Sequence, residues 1–381
     1  MRASLVTTAG SARSAFIDIA RAIAVLMMLQ GHTLHAVLSN DVRTGPLYLL
    51  WSFARGQTSC TFLLLSGFVF TLATHRHWTD RAVARAALPR RLRRFAFFLM
   101  LGYALHLPTN RIGNLLAVSD EAWRSFVAVD VLQCVAVMLM LLQGLAFATR
   151  GPRRFAVAAA LACVAVVCLT AQVWRVDWTA QLPMAMAAYF SPMTGSQFPL
   201  FPWGAYILFG AVLGEFYIRT PASGFNVFAN RALLGGGFVM LGLSYAVSQM
   251  PLQPFGPTDF WTTSASLFFM RTGIVLLVLS VVAHISRARP QPHHVLQALA
   301  QESLTIYAVH LCLVYGSVWN IGLYQLVGQR LALAPALGIT ASMWAAMVSL
   351  AVWWQWCKRH RPRAARWTRV ALGTVLLARL V

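Results

Sequence analysis

Acidic residues are the scarcest polar class in this chain. Ten Asp and Glu stand against 31 Lys and Arg in 381 residues, and charged residues together make up 11%. Soluble globular domains carry about a quarter. With 59% of residues hydrophobic and apolar runs of about 18 or more recurring along the chain, this shortage of charge excludes a soluble domain and predicts an all-α polytopic membrane protein. The six cysteines (Cys60, Cys134, Cys163, Cys168, Cys312, Cys357) lie in or beside apolar runs without CxxC spacing. That pattern supports neither a disulfide framework nor a zinc site, and no metal is expected; small packing residues are the simpler role. GxSxG, HExxH, the P-loop and GxGxxG are all missing, so the motifs of soluble hydrolases, zinc proteases and nucleotide-binding folds do not apply. No internal repeat, direct or inverted, stands out.

What is present is about ten apolar spans, expected in one bundle at roughly 16–38, 57–74, 88–107, 127–148, 155–173, 199–217, 232–250, 264–286, 302–325 and 336–357. Residues 1–15 then form an N-terminal segment, 16–357 the transmembrane bundle, and 358–381 a basic C-terminal segment that is amphipathic or frayed. The first span is too long for the apolar region of a signal peptide. No small-x-small cleavage site follows it before Asn40 and Asp41, so it is expected to stay. Gly210 with Gly214, and Gly235 to Gly237, are assigned to helix packing.

A formal charge of +21 would point to nucleic acid in a soluble protein; here its distribution points elsewhere. Residues 75–94 hold seven arginines and 358–381 hold six with Lys358; with the N-terminus and the turns near 150, 219 and 287, 23 basic residues fall on one side. Six (Arg43, Arg55, Arg111, Arg124, Arg175, Arg330) fall on the other, and Arg21 and Arg271 lie within spans. The positive-inside rule then places both termini in the cytoplasm, in the inner membrane of a bacterium, with membrane lipids and no nucleic acid as partners.

The first span, FIDIARAIAVLMMLQGHTLHAVL (16–38), carries Asp18, Arg21, His32 and His35. At about 100° per residue, Arg21 and His32 differ by roughly 20° around the helix axis and by about 16 Å along it. These groups form one polar stripe. Ionisable groups inside a span are costly and are functional candidates by default. His32, toward the outer side, has the chemistry of a general base near neutral pH. Arg21, near the cytoplasmic side, would ordinarily snorkel to the surface, but Asp18 three residues earlier can hold it inward. In PRRLRR, the pairs Arg90/Arg93 and Arg91/Arg94 share helical faces; they suit either lipid anchoring or phosphate binding. By depth, Asp130, Gln133 and Arg271 belong with His32, and Glu215 and Glu302 with Arg21. The aromatic loop 174–198 (Trp174, Trp178, Pro183, Tyr189, Pro192) suits interfacial anchoring or a lid.

Arg21 followed by His32 in the first span, TFLLLSGFVF (61–70) and the Arg-x-x-Arg pairs at 90–94 together resemble the integral-membrane acyltransferases of acyltransferase family 3. FIDIARAIAVLMML (16–29), RRLRR with LGYALHLP (90–108), DVLQC (130–134), FPLFPWGAYILFGAVLGEF (198–216) and ESLTIYAVH (302–310) are similar to its heparan-α-glucosaminide N-acetyltransferase-like branch. The resemblance implies transfer of an acyl group, most often acetyl, from cytoplasmic acyl-CoA to a sugar hydroxyl or amine of an extracytoplasmic or lipid-linked glycan. It implies His32 as base or acyl carrier with Asp18 and Arg21, and Arg90, Arg91, Arg93 and Arg94 on the CoA phosphates. His35, Asp130, Gln133, Arg271 and His310 would contact substrate, and a homodimer is compatible with it. That branch places its critical histidine in the loop after the first span, whereas His32 and His35 lie near the span's outer end; which of them reacts stays open. A multi-span transporter or flippase using the same polar path is the alternative.

Overall fold

The computed structural model describes residues 2–75, 78, 81–250 and 257–379. Of the basic stretch 75–94, positions 76, 77, 79 and 80 lie outside the described residues. The described elements are helical: α1 Arg2–Val37, α2 Gly45–His75, α3 Arg81–Leu105, α4 Val131–Thr149, α5 Pro152–Arg175, α6 Leu200–Arg219, α7 Gly236–Ser248, α8 Ala265–Ala288, α9 His294–Gln301, α10 Ser303–Tyr315, α11 Leu333–His360 and α12 Pro362–Ala378. Among the described residues, eight helical segments are long and apolar enough to cross a membrane, or nine if α9 and α10 are one bent span. The chain is thus an integral membrane protein of all-α class. The expected third span lies in α3, but the four arginines at 90–94 dilute its apolar run, and α3 is not among the eight. The expected ninth span is broken. Its two helices meet at 74° around Glu302. Gly316 then ends α10 with φ +84, a left-handed conformation open to glycine, and a turn with one short helix, Leu323–Leu326, follows where continuous helix was expected to residue 325.

The chain divides into two compact units. One comprises residues 1–13, 59–103 and 127–288. Asp130 caps α4 by accepting from the Val131 amide at 2.7 Å, and Pro152 opens α5 where its missing N–H costs nothing. In this unit α2 and α6 approach each other closely. A Cβ on Gly67 would lie 1.8 Å from the Ile207 carbonyl oxygen, and one on Gly210 1.9 Å from that of Leu64, so the two backbones touch where only glycine fits. Thr71 Oγ1 donates to the Ala211 carbonyl at 3.0 Å beside this contact. Gly237 faces Gly273 of α8, so the expected packing role of these glycines is met by close helix approach. Before it, residues Phe228–Gly235 wind as a π-helix.

The second unit comprises residues 14–58, 104–126 and 289–381. Here α1 is held at three heights. The Trp344 indole of α11 donates to the Leu26 carbonyl at 3.0 Å, and Trp51 donates to Gln30 Oε1 at 2.8 Å. At the helix end, Leu331 and Ser39 exchange backbone hydrogen bonds with Val37 and Leu331 at 2.9 and 2.8 Å. The α9–α10 break is pinned to α11 by an ion pair of Glu302 with Lys358 and by a Gln355–Gln301 hydrogen bond of 2.8 Å. Those contacts fix the frame around the first-span stripe.

Candidate active site

The second unit brings together His32 and His310, which are 278 positions apart in the chain. His32 Nδ1 lies 3.0 Å from Nε2 of His310, and the rings stack with centroids 5.2 Å apart at 26°. His310 Nδ1 lies 2.9 Å from the Ile306 carbonyl oxygen, one turn earlier on α10. Both nitrogens of His310 are therefore engaged, and its side chain is fully buried. Tyr315 and Tyr307 close the pair edge-on, at 5.7 Å from His32 and 5.8 Å from His310. A stacked, hydrogen-bonded imidazole pair inside a span is held in one orientation, as an acid–base group must be.

His35, one turn further out, sits in a different environment. Its carbonyl accepts from Arg43 Nη2 at 2.6 Å and from Gln329 Nε2 at 3.3 Å, which satisfies the end of α1. Its buried Nδ1 has no hydrogen-bond partner among the described residues. Arg55, expected from the sequence in an outer loop, also lies near these histidines. Because α2 begins at Gly45 rather than near residue 57, Arg55 is helical, and its stem packs over Gly31 of α1. Its guanidinium stands 5.4 Å from the Trp51 ring and acts electrostatically on both His32 and His35. No local signal marks it, since an arginine before an apolar run ordinarily anchors to the interface.

At the other end of the stripe, Asp18 and Arg21 interact electrostatically, and Arg21 Nη1 points at the Ala300 carbonyl at 3.4 Å, in the last turn of α9. A cation there complements the carbonyl end of the helix. Arg21 thus faces the α9–α10 break, about three turns of helix from His32.

The remaining expected site residues belong to the first unit. Arg91 donates to Thr74 Oγ1 at 2.7 Å and lies 4.5 Å from the Phe70 ring centroid, so it ties α3 to α2. Arg90, Arg93 and Arg94 are exposed. Asp130 serves as a helix cap. Gln133 is fully buried against Gly102, and both its amide atoms lack hydrogen-bond partners among the described residues. Arg271 stands 5.7 Å from the Trp203 ring centroid. Glu215 pairs with Arg219 at 2.9 Å, one turn along α6. A hydroxyl pair that sequence reasoning missed, Tyr103 with Tyr189 at 3.0 Å, joins α3 to the aromatic loop.

A family model described as the catalytic part of heparan-alpha-glucosaminide N-acetyltransferase matches residues 13–249. No curated protein matches the chain. The matched stretch covers more than half of the chain and takes in Asp18, Arg21, His32, His35, the arginines at 90–94, Asp130 and Gln133, but ends before Arg271 and His310. With an all-helical membrane-spanning architecture and the first-span histidine inside that match, the chain belongs to the heparan-alpha-glucosaminide N-acetyltransferase catalytic family.

Proposed function

We propose that this protein moves an acetyl group from acetyl-CoA to an amine or hydroxyl of a glycan, with His32 as the base. The observation that supports this reading is His32 itself: an imidazole on a membrane-spanning helix, held at 3.0 Å by a second histidine, within the stretch that matches the acetyltransferase family. As the acceptor nitrogen or oxygen attacks the acetyl carbonyl carbon, its proton passes to His32. The carbon–sulfur bond breaks, CoA leaves as a thiolate, and His32 returns the proton to the sulfur. Shielding from water favours the acceptor over hydrolysis of the thioester. The name of the matching family, a glucosaminide N-acetyltransferase, supports a glucosaminide amine as the acceptor.

Arg90, Arg93 and Arg94, exposed and free of the Thr74 tie that occupies Arg91, are the proposed contacts for CoA phosphates. Arg21 and Asp18 are proposed to order the cytoplasmic end of the stripe. The basic bias at 75–94 and 358–381 supports an inner-membrane protein with both termini cytoplasmic. A second reading, transport of a solute, draws on the α9–α10 break, because discontinuous helices line solute sites in many transporters.

The test uses purified protein in lipid nanodiscs, radiolabelled acetyl-CoA and an α-glucosaminide. The expected result is N-acetylated sugar and free CoA in equal amounts, reduced about 100-fold or more in His32→Ala. Unchanged transfer in His32→Ala removes His32 from the mechanism. Counterflow of the sugar without acetyl-CoA would favour transport.

A further inference from the structure

The geometry points to His310 as a positioning residue that selects which nitrogen of His32 reacts; this rests on the proposed role of His32 as base. The Ile306 carbonyl oxygen can only accept, so at 2.9 Å it requires the hydrogen of His310 to sit on Nδ1. A neutral imidazole with hydrogen on Nδ1 has its lone pair on Nε2. That lone pair faces His32 Nδ1 at 3.0 Å, so His32 Nδ1 must donate. The lone pair of neutral His32 is thereby placed on Nε2, the atom at the outer end of the ring. One helical carbonyl on α10 thus fixes the reactive atom of α1 through two rings.

The arrangement also suits the charged step. When His32 Nε2 takes the acceptor's proton, Nδ1 keeps its hydrogen and still donates to His310, and the hydrogen bond strengthens because the donor is now a cation. His310 itself gains no proton and exchanges none. Its burial and its two engaged nitrogens leave it nothing to offer a substrate, so the substrate contact expected for it from sequence gives way to action through His32. A histidine outside residues 13–249 would then complete the base that lies inside them. The groups around the pair are Tyr315, Tyr307, His35 and Arg55, and His310 Nε2 is the atom at hydrogen-bond distance from His32 Nδ1.

The experiment measures kcat and KM in nanodiscs with acetyl-CoA and an α-glucosaminide for three variants. His310→Leu, which keeps bulk but cannot accept a hydrogen bond, is expected to lose about 100-fold or more in kcat with KM for acetyl-CoA within about threefold, as for a base with its tautomer unset. His310→Gln, whose amide oxygen can accept from His32 Nδ1, is expected to return to within about tenfold of the wild type. Near-wild-type kcat in His310→Leu beside an inactive His32→Ala overturns the inference while leaving His32 as base. Equal losses in the Leu and Gln variants also overturn it, because packing alone would then explain His310. Wild-type activity in His32→Ala removes the base, and the inference with it. Nitrogen-15 NMR of histidine-labelled wild type provides a check that needs no variant: His32 is expected to be unprotonated at Nε2, and a bare Nδ1 overturns the inference.

Discussion

Glu302 and Lys358 form a buried ion pair whose two ends are unequally exposed, and the inequality sets the cost of breaking it. The Glu302 side chain is 2% exposed, at the break between α9 and α10, whereas Lys358 keeps 37% of its surface open near the end of α11. Lys358→Met strands a carboxylate that cannot reach water. Breaking a buried pair in this way costs roughly 3–5 kcal/mol, and partial solvation of this pair argues for the lower end, about 3 kcal/mol. Glu302→Gln strands only a lysine that can turn into solvent, and its neutral amide can still donate and accept; the expected cost is about 1 kcal/mol. In the double variant no charge is left buried, so the expected cost is about 1.5 kcal/mol rather than the sum, giving a measurable coupling. The assay is equilibrium unfolding in mixed micelles at fixed lipid composition, followed by the fluorescence of the 13 tryptophans. Equal costs for the two single variants, or no loss in Lys358→Met, would refute this account of the α9–α10 break.

Gly67→Ala should destabilise the fold by about 3 kcal/mol in the same assay, because its Cβ would sit 1.8 Å from a backbone oxygen on α6. Gly144→Ala, with nothing within 4 Å, should instead gain about 0.5–1 kcal/mol, and equal effects of the two would refute the close-contact argument. Replacing Arg90, Arg93 and Arg94 together by alanine is expected to raise KM for acetyl-CoA about tenfold with little change in kcat, a loss of about 1.4 kcal/mol of binding. Arg91→Ala should lower stability instead, through its contacts with Thr74 and Phe70. Gln133→Leu removes a buried amide without hydrogen-bond partners among the described residues, and is expected to gain about 1 kcal/mol in stability in the same unfolding assay; a loss would refute the reading of an unpaired amide.

What lies within about one helical span of sequence was determined by the sequence itself. Apolar runs long enough to cross a bilayer must be helical there, since no water is available to satisfy an open backbone. Asp18, Arg21 and His32 share a face because the helical period puts them there. Gly210 was legible as a packing position, whereas Gly67, which meets the same α6 segment from α2, carried no such signal. Tertiary structure decided the rest. The break at Glu302 depends on a lysine 56 positions later in the chain, the helical setting of Arg55 on an early start of α2, and the partner of His32 on a residue 278 positions away. Hydropathy carries none of this, because inside a membrane a histidine bound to lipid-facing solvent, to a helix or to another histidine has the same sequence signature. Only the packing of α10 beside α1 distinguishes them, and it turns one polar stripe into an oriented imidazole.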